Sequence, residues 1–131
     1  FLLLSHLSSC IGMVKHVTQT DFSPAKGNAL QACVASIFEL PLDAVPNFIA
    51  AVDPYESLHK FAGNRGLGFI KVETSSEGLL PFPASTAEHD VFCVLAGPSP
   101  RGAHKHAVVG KAVGKRLICL NDPHPDGSML A

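Results

Sequence analysis

Residues 27–40 read GNALQACVASIFEL, an apolar run bounded by Gly27 on one side and Pro41 on the other. The run is too long for an ordinary strand and predicts an α-helix. Asn28 offers an N-cap, and Pro41 cannot continue the helix beyond about Leu40. From Leu30 to Leu40 only Gln31, Ser36 and Glu39 interrupt the apolar surface. A helix with so little polar surface belongs inside a domain. That one expectation organises the rest of the chain.

Upstream, residues 14–22 (VKHVTQTDF) alternate loosely and predict a short extended segment, with a loop at Ser23–Gly27. Downstream, Pro41–Pro46 reads as a turn into a short helical stretch. Asp53-Pro54 then opens a second helix through about Asn64, ended by Gly63, Gly66 and Gly68. Phe69–Glu73 predicts a strand, residues 74–88 a loop, and Val91–Leu95 a buried strand. After the tight loop GPSPRG (97–102), His106–Val113 and Arg116–Asn121 form two strands around the hairpin signal Gly114-Lys115. Helices come first and strands after, which predicts an α+β domain with its first helix packed on an antiparallel sheet.

The chain has 131 residues, enough for one domain with one core. Its net charge of −1 leaves no electrostatic footprint for nucleic acid. There is no basic amphipathic stretch to favour a membrane surface, and no membrane span is expected. Cys33, Cys93 and Cys119 lie in apolar surroundings without C-x-x-C spacing, which predicts free thiols in a reducing, cytoplasmic setting. Residues 1–12 (FLLLSHLSSCIG) read as an extension ahead of a domain at 13–131. They could instead be the remnant of a signal segment, since Leu7-Ser8-Ser9-Cys10 fits a lipoprotein processing site without its charged leader. The ending DPHPDGSMLA reads as a turn entering a further element.

Three features on different elements bear on chemistry. One is the start of the apolar helix at Asn28-Ala29. The second is His106, which opens a strand, and the third is Asp122, which closes the next. In an antiparallel hairpin the start of one strand lies beside the end of the following one, so His106 and Asp122 should be neighbours. A carboxylate beside an imidazole fixes its tautomer and steadies its protonated form. Helix N-termini favour thiolate nucleophiles, and position 29 lies in the first turn of the helix. It holds alanine. Every part of a Cys–His–Asp triad is expected here except the sulfur.

VTQTDF (17–22), GNALQACVASIFELPLDAVPNF (27–48), SPRGAHKHAVVG (99–110) and NDPHP (121–125) together resemble a group of small bacterial and phage papain-like proteins. In that group the helix opens G-[DN]-C and runs to an L-P-L-x-x-V-P turn. S-P-R-G…H-A-V-V and H-D-P-H-P follow. The order of motifs is also similar to that of the bacteriocin-leader peptidases. The resemblance covers roughly residues 14–127. It implies a papain-like fold and a cysteine peptidase, amidase or acyltransferase acting on a peptide or small amide, without a cofactor. It makes Ala29 the nucleophile position, His106 the general base, Asp122 its orienter and Gln19 an oxyanion donor. Asn28, Arg101 and His104 are candidate substrate contacts, although Arg101 could equally hold its own loop. The chain departs from the pattern at Ala29 and at Asn121, which stands for the first His of H-D-P-H-P.

Ala29 fits an engineered cysteine-to-alanine change or a natural binding module that has lost its nucleophile. Retention of the other site residues favours the first. Cys33, one helical turn along, is an alternative nucleophile, but its apolar setting favours core packing. His104, His106 and His124 could gather a metal ion, though without a tight ligand motif. The 74–88 and 97–105 loops are expected to wall the cleft.

Overall fold

The fold is that of a computed structural model, which describes residues 2–3, 14–84 and 90–131. In chain order these residues form β1 (Leu2–Leu3), α1 (Ala29–Ile37), two 3-10 turns (Leu42–Ala44 and Phe48–Ala50), α2 (Pro54–Gly63), β2 (Ile70–Lys71), β3 (Val91–Pro98), β4 (Lys105–Val113) and β5 (Arg116–Asn121). The strands make one antiparallel sheet in the order β2-β1-β3-β4-β5, so the architecture is α+β as expected.

α1 is the packed helix that its sequence predicts, with Ala32 through Ile37 all buried. It lies against β3 and β4. It ends at Ile37, three residues before Leu40, because Glu39 adopts a left-handed conformation (φ 55°). Glu39 N–H then donates to Ser36 O at 3.3 Å and Leu40 N–H to Ala35 O at 2.9 Å, which closes the last turn on itself. Ser36, the polar residue deepest in this helix, is satisfied twice. Its hydroxyl donates to Ala32 O at 2.8 Å and accepts from Val17 N–H at 3.0 Å, so it also ties residues 14–19 to the helix.

α2 begins where Asp53-Pro54 predicts. The Asp53 carboxylate accepts from the Tyr55 and Glu56 N–H groups, and Pro54 occupies the first turn. Phe61 packs edge-on against both Phe38 and Phe48, which joins the two helices through one aromatic cluster. β2 is shorter than the Phe69–Glu73 segment that predicts it. β3 is longer, running through Gly97-Pro98, because it pairs with β4 along its whole length to Pro98↔Lys105.

Both faces of the central strands are covered. Val94, Ala107 and Val109 join the core under α1, whereas Cys93, Leu95 and Val108 pack on the opposite side with Leu117, Met129 and Leu130. Two-sided burial explains why β3 and β4 read as continuous apolar runs. Gly110 sits at a register shift between β4 and β5, and a Cβ there would lie 2.5 Å from Leu95 Cδ1. Only glycine fits that crossing. No helix among the described residues is long and apolar enough to cross a membrane. The expected extension at 1–12 lies outside the described residues except for Leu2–Leu3.

Candidate active site

The site is assembled at the N-terminus of α1. Residues 19–28 fold back on themselves: Gly27 N–H donates to Ser23 O at 2.8 Å and Asn28 N–H to Asp21 O at 3.1 Å. Gly27 is forced by this turn, since a Cβ there would lie 2.6 Å from Ser23 O. Asn28 does not cap the helix with its side chain. Its Oδ1 accepts from Thr20 N–H at 2.9 Å and Asp21 N–H at 2.8 Å, and its Nδ2 donates to Thr20 Oγ1 at 3.0 Å and Gln31 Oε1 at 3.1 Å. An amide has two acceptor and two donor positions, and all four are used inside the protein. The expectation that Asn28 contacts substrate is therefore corrected. It positions the Gln19 segment instead. Replacing Asn28 with alanine should cost about 1–3 kcal/mol through the orphaned N–H groups of Thr20 and Asp21, with faster amide exchange at those two residues as the readout.

Gln19 is buried. Its backbone N–H donates to Pro123 O at 2.9 Å, which joins this segment to the stretch after β5, and its Nε2 donates to Asp21 O at 3.0 Å. The Nε2 bond fixes the amide orientation, because the flipped form would set Oε1 against a carbonyl. One Nε2 hydrogen remains, and Oε1 has no partner among the described residues.

His106 and Asp122 meet as the hairpin predicts. His106 Nε2 lies 2.7 Å from Asp122 Oδ1, and both residues are buried. The carboxylate also accepts from His124 N–H at 2.8 Å and Met129 N–H at 2.7 Å, with Arg101 Nη1 at 3.4 Å. Burial pushes the Asp122 carboxyl up, but the His106 bond and the two backbone N–H bonds outweigh it and hold the pKa below the usual 3.8. Burial also pushes His106 down, the Asp122 bond and charge pull it back, and Arg101 pushes it down again. The net position is below 6.5. At neutral pH the imidazole is therefore uncharged, with Nε2 held by the carboxylate. Its Nδ1 has no partner among the described residues, and it is free to take a proton.

A cleft of about 470 Å³ opens beside this pair, and Gln19, Ala29, His104 and His106 all line it. Ala29 is the first residue of α1, whose N-terminus has no side-chain cap and no acidic residue in its first turn. Arg101 is not in the lining. Its Nη1 bonds Asp126 at 2.6 Å, the Ser128 hydroxyl, and Asp122 at 3.4 Å, so it staples the loop before β4 to the segment after β5. These Nη1 bonds support the loop-holding role of Arg101, while its buried Nη2 has no partner among the described residues. His104 and Lys105 line the cleft from the expected 97–105 loop region, but residues 74–84 do not. Tyr55, Pro54, Ile49 and Lys71 also line it, from α2, a 3-10 turn and β2. Nothing periodic in the sequence marks those residues. Tyr55 carries a faint signal, as an aromatic left half-exposed in the first turn of a helix.

Cys33 is fully buried, and burial pushes its thiol well above the ordinary range, followed by the charge of Asp122. It is an inert core thiol. His106 Nε2 is committed to Asp122, and His124 Nδ1 lies 3.1 Å from Asp126. Among the described residues no group of three possible ligands is placed to hold a metal ion. The chain matches no protein-family model, no curated protein and no solved structure in comparisons with each.

Proposed function

We propose that the domain is a papain-like thiol hydrolase or acyltransferase in which alanine occupies the nucleophile position. The observation that carries this reading is the shared cleft. It holds the uncapped start of a buried helix at Ala29 and a histidine whose far nitrogen is held at 2.7 Å by a buried carboxylate.

With a thiol at position 29, His106 Nδ1 would take its proton. The thiolate would attack an amide or thioester carbonyl, forming a C–S bond and a tetrahedral oxyanion. The backbone N–H at position 29 and the remaining Nε2 hydrogen of Gln19 would hold that oxyanion. His106 would then return the proton to the leaving amine or thiol as its bond to carbon breaks. Water, or an acceptor amine, would release the acyl group. Asp122 stays ionised throughout and orients the imidazole. Cys33, Cys93 and Cys119 are free thiols, which supports the cytoplasmic setting proposed for this chemistry.

The test is to install cysteine by Ala29→Cys and alkylate with iodoacetamide at neutral pH. A hyper-reactive thiol at position 29 is expected. A thiol there that behaves like an ordinary one overturns the reading. Ala29 itself favours a second reading for the chain as it stands, namely a binding module that holds a peptide or small amide in the cleft without turning it over.

A further inference from the structure

We infer that the cleft takes a small amide or thioester bearing a carboxylate, and that Lys71 and Lys105 hold the carboxylate. This rests on the reading of position 29 as a nucleophile site, and it adds the substrate class.

Among the described residues the cleft lining has two lysines and two histidines, and no aspartate or glutamate. The chain as a whole carries 11 acidic and 10 basic residues, so the bias is local. Among the described residues two of the arginines and lysines are ion-paired. Arg101 meets Asp122 and Asp126, and Lys111 meets Asp90 at 2.7 Å. Neither Lys71 nor Lys105 has an ion-pair partner among the described residues. Lys71 Nζ is instead held at the wall by the Tyr55 hydroxyl at 3.3 Å and lies 5.7 Å from the centre of that ring. One of its three donors is used and two remain for a ligand. The uncapped N-terminus of α1 adds further positive potential to the same space.

Gln19, 6% exposed, also lines the cleft, and its amide adds a polar group to that wall without adding negative charge. Leu30, Leu58 and Val94 also line the cleft and give it apolar surface. A space of about 470 Å³ suits a small conjugate rather than a long peptide.

Two alkylating agents that differ in charge test this directly: iodoacetate, which carries a carboxylate, and iodoacetamide, which does not. Both are applied to the Ala29→Cys protein, and modification at position 29 is read by peptide mass spectrometry. The readout is the ratio of the two rate constants. Lys71→Gln should lower the iodoacetate-to-iodoacetamide ratio roughly 3- to 10-fold, and Lys105→Gln should lower it in the same direction. Lys115→Gln makes the same change in net charge outside the cleft and should leave the ratio where it was. Both lysines are exposed, so the folded state survives their loss, and matching circular dichroism melts check this. A reactive thiol whose ratio ignores Lys71 and Lys105 overturns the inference and leaves the nucleophile reading standing. A thiol at position 29 that is slow toward both reagents overturns that reading and the inference with it.

Discussion

Asp122→Ala should lower the unfolding free energy by about 3–5 kcal/mol, the largest stability loss of any single change in the site. The side chain is fully buried and receives four groups: His106 Nε2, the N–H of His124, the N–H of Met129, and Arg101 Nη1. Removing it orphans two backbone donors and leaves a buried imidazole without its partner. Arg101 keeps Asp126, which limits the loss on that side. Asp122→Asn should cost less, about 1–3 kcal/mol, because the amide can still accept on one side while presenting a donor on the other. Chemical denaturation of the two variants beside the parent measures both.

The same pair sets the acid limb of stability. His106 and Asp122 both have folded pKa values below their ordinary 6.5 and 3.8. The unfolded chain therefore binds protons more readily at each, and stability rises with pH through each window. It is fully present above 6.5, falls as the pH drops and His106 is forced to take a proton, and falls again below 3.8 as Asp122 does. Thermal melts across this range should show both losses in the parent and a smaller loss below 3.8 in Asp122→Ala, where the lowered Asp21 and Asp126 carboxyls remain. An unchanged limb below 3.8 in that variant would contradict the role given to the carboxylate.

The second large effect is chemical. A thiol installed by Ala29→Cys should keep its alkylation rate nearly level from pH 8 down to about pH 6, where an ordinary thiol loses about tenfold per unit. The helix N-terminus and a protonated His106 both favour the thiolate, and such settings bring thiols to roughly 3.5–7.5. Adding His106→Ala should cut the rate at pH 6 by about 10- to 100-fold, since only the helix end remains to stabilise the anion. The protein carries its own controls. Burial holds Cys33 well above the ordinary thiol range and pushes Cys93 up to about 12, so neither should react in the folded state. Alkylation at Cys33 in place of position 29 would defeat the assignment of the nucleophile position.

The packed helix after Gly27, the Asp53-Pro54 start of α2 and the closeness of His106 to Asp122 were legible in the residues alone. Each is local or nearly so. Apolar periodicity and caps act within a few turns, and a tight turn at Gly114-Lys115 sets the register of β4 on β5, so the two ends must meet. The fold settled what else lines the cleft with Ala29, because α2, β2 and the segment at 104–107 meet there from distant parts of the chain. It also tied Arg101 to Asp122 and Asp126 and turned Asn28 from a helix cap into a clamp on residues 20–21. A polar side chain carries the same donors and acceptors whichever partner it finds. Its partner is chosen by what the folded chain brings within about 3 Å, and residue type alone does not encode that choice.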